Sequence, residues 1–581
     1  MRLPSALLFS TLMAAPVVAA PSDAARFKTI SAREYAWTRA HGDGAPDASG
    51  DHVAPHLPDV RPAAQAKRLA YLENVRKQLD AIRPARLAAS AAVDYAVYRY
   101  DLETRIASLR FRDYEMPVNS DSSFWSDLGY VARAAFRDEA DYRNWIVQLH
   151  ELPAYFAEQI ENMRAGAARG FTPPQVTLAH RDESVAQVAR VKKAEDSFLY
   201  APFKAMPTSI PAVAQARLRT EAKETIEQEA LPAYRALLRF LRDEYFPRAR
   251  VTLAAEALPD GAAWYAAQIK AYATVDLTPD QIHKIGLSEV AGIHAEMLEQ
   301  MKAAGFSGDL PAFLKYLRTD PRFYAKTPQE LLDRAAWTAK QVDGKVGQYI
   351  GRLPRRRFAI VPVPADIAPF YTAGRGGPGE YLVNTYDLPS RPLYQLPALT
   401  LHESAPGHAF QIPLAQENKA TAKFRQTLYI SAYGEGWALY CERLGDEMGI
   451  YETPYERFGM LSYQMWRAAR LVVDTGIHHL GWTRAQGQAF LHDNTALSDH
   501  EIATEVDRYI SWPGQALSYY LGEMAIRKGR AKAEATLGSK FNVRAFHDAV
   551  LELGSVPLPV LDARIDRFIA EGGKGPYPKE E

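Results

Sequence analysis

Cysteine is almost absent from this sequence, since its 581 residues include one, Cys441. One cysteine excludes an intrachain disulfide, and no cysteine stands near the N-terminus to carry a lipid. The fold must therefore be stabilised by packing, and a chain of this length can bury a large core.

An excess of charge is missing as well. Lys plus Arg and Asp plus Glu both total 69, so the formal net charge is zero. This balance gives no support for nucleic acid or an anionic membrane as a partner. The densest basic run, Arg352–Phe358, contains Pro354 and is typical of a solvated loop or strand end.

Long apolar stretches are missing beyond the N-terminus, which has the pattern of a secretory signal peptide. Arg2 is followed by an uncharged stretch over residues 3–20 and then by small residues. Pro4 and Pro16 argue against a membrane helix that is retained. We expect residues 1–24 to be a signal peptide and the mature protein to be periplasmic or secreted, without a membrane anchor.

Helical periodicity dominates the mature chain, because apolar residues recur at three- and four-residue intervals from Pro62 onward. In one clear example Thr278 is the predicted cap, Pro279 takes the first helical position and Gly305 marks the end. The pattern predicts a mainly α protein.

Two short β-rich runs interrupt the helical pattern, at residues 358–363 and 380–385, and Pro and Gly separate them. They predict one small β-sheet next to the candidate site. We expect residues 25–581 to form a single large domain, or two lobes that cover about 25–255 and 256–581.

A possible metal site lies in the stretch "LHESAPGH", which holds His402, Glu403 and His408. Zinc proteases usually carry His-Glu-x-x-His, because residues four apart share one helical face. Here the histidines are six apart, about 240° around an ideal helix. Pro406 and Gly407 both break helices, so we predict a bulge that brings His408 back beside His402.

Zinc bound by two histidines needs a third protein ligand and one open position. Glu435 and Glu442 are seven apart downstream and lie on nearly one face of a predicted helix. We predict Glu435 as the third ligand and Glu442 as the group that holds a ligand in place. The alternative is an amphipathic helix with two solvated acids.

A family resemblance is carried by three motifs, "LHESAPGHAFQ", "GEGWALYCE" and "RYISWPGQALSYYLGE". Together they resemble the bacterial domain-of-unknown-function family 885, which is grouped by similarity with zinc metallopeptidases of the His-Glu-x-x-His type. The resemblance covers most of the mature chain and implies a large, zincin-like helical architecture. It also implies one zinc ion held by His402, His408 and Glu435, with Glu403 as the catalytic base.

Two residues receive catalytic roles in this interpretation. Glu403 would accept a proton from a water in the open position of the zinc and pass it to the leaving amine. Tyr519, which the resemblance favours, would donate a hydrogen bond to the developing oxyanion. A core tyrosine whose hydroxyl is satisfied locally is the alternative for Tyr519.

Arg470, Asp474 and His478 are each four residues apart and therefore share one predicted helical face. Together they could orient a ligand or bind a substrate carboxylate. His478 would be the reactive, catalytic end of this row of side chains. A structural ion-pair ladder is the alternative. Arg508 is a further candidate for a substrate C-terminus, with a plain salt bridge as its alternative.

Tyr381 and Asn384 are predicted substrate contacts in the stretch "GRGGPGEYLVNT". Its glycines permit close backbone approach, so an edge strand there could pair with an extended peptide. A flexible loop is the alternative.

The leading hypothesis is an exported, zinc-dependent metallopeptidase that hydrolyses short peptides. Manganese or cobalt could replace zinc with the same ligands. One alternative is a zinc hydrolase of a non-peptide amide or ester. Another is a non-catalytic periplasmic peptide-binding protein, although such a protein would have no use for a base at Glu403.

Overall fold

The computed structural model describes residues 21–41, 52–120, 122–365 and 367–577. Most of the predicted signal peptide, residues 1–20, lies outside the described residues. Among the helices that are described, none combines the length and the apolar character needed to cross a membrane.

Helices make up most of the described chain, which confirms the predicted mainly α class. The helices before residue 278 are α1 Asp23–Ala40, α2 Pro62–Asp80, α3 Ala89–Phe111, α4 Phe124–Arg133, α5 Glu139–Ala168, α6 Glu183–Ala189, α7 Ala201–Lys204, α8 Ala212–Thr225, α9 Leu231–Phe240, α10 Phe246–Arg248 and α11 Gly261–Ala273.

The second half of the chain carries the longer helices that surround the candidate site. They are α12 Pro279–Ala303, α13 Leu310–Thr319, α14 Pro328–Asp343, α15 Val346–Tyr349, α16 Leu396–Glu403, α17 His408–Glu417, α18 Lys423–Gln426, α19 Ser431–Glu447, α20 Pro454–His478, α21 Arg484–Asn494, α22 Asp499–Ser511, α23 Ser518–Leu537, α24 Val543–Leu551 and α25 Leu558–Ala570.

The predicted start of α12 is confirmed in detail. The hydroxyl of Thr278 accepts a hydrogen bond from the backbone N–H of Gln281, and the Gln281 side chain accepts one from the N–H of Thr278. This capping box satisfies two N–H groups that the helix itself leaves unpaired. Pro279 follows at the first helical position, where no N–H is needed.

One small sheet is present among the described residues, as predicted. Its strand order is β1 (Ala359–Pro362), β3 (Glu380–Val383) and β2 (Gly374–Gly377), with β1 parallel and β2 antiparallel to β3. Strand β2 has the sequence Gly-Arg-Gly-Gly, which contains no β-forming side chain; it lies outside the two predicted β-rich runs but within the stretch where an edge strand was considered possible. Strand β2 packs against α16 and α17.

The largest hydrophobic core draws mainly on residues after 250, and it includes all the helices of the candidate site. Two further clusters of buried hydrophobic residues are present. One draws on residues 53–249, and the other draws on residues 27–106 and also contacts Phe424. The division into two lobes stays a prediction.

Glycines allow α19 and α23 to cross at very short range within this core. A side chain at Gly436 would overlap the backbone of Gly522, and one at Gly522 would overlap the carbonyl of Ala432. The crossing brings the first turn of α23, which holds Tyr519, against the first turns of α19, which hold Glu435.

Candidate functional site

The predicted irregularity before His408 is a complete break between two helices. Helix α16 ends at Glu403, the next four residues are not helical, and α17 begins at His408. The peptide bond between Ala405 and Pro406 is cis. The indole N–H of Trp437 donates to the carbonyl of Pro406 at 2.8 Å, which ties the break to α19.

Gly407 has no room for a side chain at this break. Its N–H donates to the carbonyl of Leu401 at 3.1 Å, and a Cβ at this position would overlap the carbonyl oxygen of His402. The chain therefore doubles back tightly on α16. As a result, the imidazole rings of His402 and His408 lie 4.9 Å apart between centroids, at an angle of 85°.

Glu435 lies between the two imidazoles. Its Oε2 is 3.5 Å from Nε2 of His402 and 3.3 Å from Nε2 of His408. Ligands about 2.0–2.1 Å from a tetrahedral zinc ion are about 3.3 Å from one another. The two measured distances from the carboxylate to the imidazoles therefore suit a shared zinc ion.

Glu442 lies behind His402 and is fully buried. The Nδ1 of His402 is 2.8 Å from Glu442 Oε1, so this nitrogen donates to the carboxylate and leaves Nε2 to face Glu435. A carboxylate in this position fixes both the tautomer and the ring orientation of a metal-binding histidine. The structure thus places Glu442 where the sequence predicts a supporting group.

The electrostatics of the cluster favour a positive charge at its centre. Burial by itself lowers the pKa of His402, but hydrogen bonds to Glu435 and Glu442 and the charge of Glu403 raise it to about 10. Burial raises the pKa of Glu435, yet the two histidines hold it well below its usual range. Three carboxylates face two imidazoles, so a bound cation would complete the charge balance.

Glu403 joins the same cluster from the end of α16. The potential ligand atoms of His402, Glu403 and His408 all lie within 4.8 Å of one another, and Glu403 is 8% exposed. Its Oε2 accepts a hydrogen bond from the backbone N–H of Gly376 at 2.6 Å. A side chain at Gly376 would overlap the backbone of Glu403, so glycine lets β2 approach α16.

Tyr429 belongs to the site, although the sequence reasoning did not find it. Its hydroxyl donates to Glu435 Oε1 at 2.9 Å. Desolvation and the charge of Glu435 raise the pKa of Tyr429 well above its usual value, and Tyr519 and Glu403 are close enough to contribute. Since the chain has 31 tyrosines, no local signal separates this one from the rest.

Tyr519 lies between this cluster and a group of arginines. It is nearly buried, and the Arg470 guanidinium carbon is 4.3 Å from its ring centroid. Its hydroxyl accepts a hydrogen bond from Arg508 Nη2 at 3.3 Å. Both arginines contact Glu505, at 2.8 Å from Arg470 and 3.6 Å from Arg508.

The predicted catalytic role of His478 requires correction. Its Nδ1 accepts a hydrogen bond from the backbone N–H of Ala255 at 3.1 Å, and its Nε2 donates to the carbonyl of Tyr509 at 2.8 Å. Burial lowers the pKa of His478 to about 3. The imidazole is therefore a neutral connector between elements, with no nitrogen left for a substrate.

Asp474 does not support a site residue either. It accepts hydrogen bonds from the hydroxyl of Tyr265 at 2.6 Å and from the backbone N–H of Gly514. Arg470, Asp474 and His478 share one helix, as predicted, but each is bonded to a different partner. These three residues therefore form neither the predicted substrate-binding row nor the alternative ion-pair ladder.

Tyr381 and Asn384 are also corrected as substrate contacts. Both residues are fully buried, and the amide of Asn384 donates to the carbonyls of Ala368, Tyr371 and Thr372. Tyr381 lies on β3, the central strand, whose backbone is paired on both sides. The edge strands of the sheet are β1 and β2, of which β2 lies beside α16.

The fold and the site define a mainly helical protein whose buried histidine–glutamate cluster sits at a helix break beside a small sheet. A family model described as "Bacterial protein of unknown function (DUF885)" matches residues 42–565. The chain therefore belongs to this family, as the sequence motifs suggested. No curated protein matches it.

Two solved structures share this fold. One is described as "the putative lipoprotein from Colwellia psychrerythraea"; it is 26% identical with a TM-score of 0.87, over 95% of this chain and 100% of that one. The other is described as "a putative lipoprotein of unknown function from Shewanella oneidensis", at 18% identity and a TM-score of 0.63, over 94% and 99% of the two chains. The second likeness shows the fold alone.

Proposed function

We propose that this protein is a zinc-dependent peptidase that hydrolyses short peptides. The observation that carries the proposal is the position of Glu435 Oε2, 3.3–3.5 Å from one nitrogen of each of two histidines. These distances match the edges of a tetrahedral zinc site. The hydrogen bond from His402 to Glu442 supports the same interpretation.

His402 Nε2, His408 Nε2 and Glu435 would hold the ion. Two imidazoles and one carboxylate leave a fourth position open, which is typical of catalytic rather than structural zinc. When bound, zinc supplies a Lewis acid that polarises a carbonyl and makes a water more acidic. Manganese and cobalt remain compatible with these donors.

Glu403 would act as the general base and then as the general acid. The N–H of Gly376 holds Oε2, which leaves Oε1 to take the proton of the attacking water and give it to the leaving amine. Tyr519 would donate its hydroxyl hydrogen to the carbonyl oxygen, since Arg508 already donates to the Tyr519 oxygen.

Strand β2 supports a peptide as the substrate. The N–H of Gly376 points away from β3 and towards Glu403, so the outer edge of β2 borders the site. An extended peptide can add to such an edge through backbone hydrogen bonds. We further propose that the protein acts outside the cytoplasm, in line with the N-terminal pattern and with the 26%-identical neighbour described as a "putative lipoprotein".

The first test combines metal content with a peptide library. The purified protein is expected to hold about one zinc ion, and His402→Ala and His408→Ala are expected to lose it. His180→Ala is the matched control, because the His180 side chain is 86% exposed. Mass spectrometry of the mixed library, digested by the zinc-loaded protein, should show cleaved peptide bonds.

Different outcomes separate the alternatives. Full zinc content in both histidine variants contradicts the ligand assignment. A zinc-loaded protein that cleaves no peptide but hydrolyses other amides or esters is a hydrolase of another class. Peptide binding that is unaffected by Glu403→Gln, without any turnover, indicates a binding protein.

A second prediction concerns the buried partner of His402. Glu442→Gln is expected to weaken zinc binding about 10- to 100-fold, because the neutral amide no longer anchors the Nδ1–H of His402 as a carboxylate does. Competition with a chelator of known zinc affinity measures the change. Glu571→Gln at an exposed position is the control, and unchanged zinc affinity in Glu442→Gln would remove Glu442 from the site.

A further inference from the structure

Arg467 on α20 is a buried cation without an acidic partner among the described residues. The residue is 4% exposed, and its guanidinium carbon is 4.0 Å from the Trp466 ring centroid and 4.6 Å from that of Tyr463. Nε and Nη1 are fully covered and have no hydrogen-bond partner. Within the described residues, no carboxylate lies within ion-pair distance of Arg467.

The other buried arginines of the described chain show that this is unusual. Arg470 pairs with Glu505, Arg425 with Asp94 and Arg564 with Glu552. An arginine cannot give up its proton in a protein, so burial without an anion is costly. A cost of this kind points to an anion that arrives from outside the chain.

Arg467 is connected to the candidate site through stacked side chains. The Trp466 ring lies between the guanidinium groups of Arg467, at 4.0 Å, and Arg470, at 4.5 Å. Arg470 in turn stacks on Tyr519 at 4.3 Å, and Tyr519 is close to Tyr429 and its partner Glu435. Stacked groups therefore run from Arg467 to Tyr519, and Tyr429 continues the row to the proposed zinc ligand Glu435.

A second connection runs through Tyr463, which lies one turn before Arg467 on the same side of α20. Tyr463, beside Arg467, lies close enough to the buried carboxylate of Glu442 for the two groups to interact. Tyr381 interacts electrostatically with both Tyr463 and Glu403. Neighbouring side chains therefore link Arg467 to the site by this route as well.

We propose that Arg467 binds a carboxylate group of the peptide substrate. Nη2 is the guanidinium nitrogen that is not fully covered, and its N–H groups would donate to the carboxylate in a charge-assisted hydrogen bond. The stacking on Trp466 and Tyr463 keeps its plane fixed before the substrate arrives, which lowers the cost of ordering it. The identity of the bound molecule as a peptide substrate rests on the function proposed above.

This assignment makes the site selective for peptides that carry a carboxylate at one distance from the cleaved bond. The carboxylate comes either from the free C-terminus or from an acidic side chain. Either source brings a negative charge to the unpaired guanidinium of Arg467.

Binding measurements on the Glu403→Gln protein test the proposal without any need for turnover. The probes are tri-alanine with a free C-terminus, tri-alanine amide and Ala-Glu-Ala amide, titrated by calorimetry. We expect a carboxylate-bearing probe to bind on the order of 10- to 100-fold more tightly than tri-alanine amide. Preference for free tri-alanine identifies the C-terminus, and preference for Ala-Glu-Ala amide identifies a side chain.

Substitution of Arg467 should remove that preference. In Glu403→Gln/Arg467→Met, we expect all three probes to bind with nearly equal affinity, whereas Arg467→Lys should keep part of the difference. Arg322→Met is the matched control, because Arg322 also stacks on Tyr316, Phe323 and Tyr455 but is exposed.

Thermal unfolding separates recognition from a structural role. Arg467→Met should leave the melting temperature unchanged or raise it, because it removes an unpaired buried charge. Arg564→Met, which breaks a buried pair with Glu552, should lower it. A drop for Arg467→Met as large as that for Arg564→Met would indicate that the guanidinium is structural.

The two proposals can fail separately. Equal affinity for all probes, no measurable binding, or a preference that survives Arg467→Met would overturn the carboxylate site, even if wild-type protein cleaves peptides. Selective binding of a carboxylate probe, with no cleavage by zinc-loaded wild-type protein, would keep the site and reject the peptidase.

Discussion

Glu403→Gln is expected to lower the rate of peptide hydrolysis by about 10²–10⁴-fold while zinc stays bound. Glutamine keeps the shape of the side chain and can still accept the N–H of Gly376, but it cannot take up a proton. The three proposed ligands are untouched. The effect should therefore appear in kcat, with little change in the affinity for peptide.

Steady-state kinetics and metal analysis on the same preparation check this expectation. Glu571→Gln serves as the control for the chemical change, because Glu571 is exposed and caps the C-terminal end of α25. Wild-type rates in Glu403→Gln would exclude Glu403 as the base. Loss of zinc in this variant would instead make Glu403 a ligand.

Gly407→Ala is expected to have the second large effect, the loss of high-affinity zinc binding. The new methyl group would overlap the carbonyl oxygen of His402, so α16 and α17 must move apart. The two imidazoles would then no longer face one point. Since the region is buried, we also expect the free energy of unfolding to fall by about 3 kcal/mol or more.

Zinc titration and urea unfolding measure the two consequences. Gly292→Ala is the matched control, because Gly292 lies within α12 and a Cβ there meets nothing within 4 Å. That control should be neutral or stabilise the protein by about 0.5–1 kcal/mol. Wild-type zinc affinity in Gly407→Ala would show that the tight helix break is not needed for the site.

Local sequence patterns predicted much of this protein. Apolar spacing indicated the helices, and the capping residues Thr278 and Pro279 set the start of α12. The pair His402 and His408 stood out because their separation needed a helix breaker, which Pro406 and Gly407 supply. All of these features depend on neighbours within a few residues.

Predictions that needed distant contacts succeeded less often. His478 and Asp474 looked reactive on a helical face, but α20 is surrounded by other elements and both side chains are bonded to them. Asn384 was predicted to contact substrate, yet it is fully buried. Periodicity shows which residues share a face and does not show what packs against that face.

The sequence by itself determined the helical class, the break before His408 and the residue types of the histidine–glutamate cluster, because backbone preferences and short spacings act locally. Tertiary structure alone decided that β2 reaches Glu403, that Tyr429 bonds to Glu435 and that Arg467 is left without an acid. Each of those outcomes depends on which surfaces meet when elements distant along the chain pack together, and that is a property of the whole core.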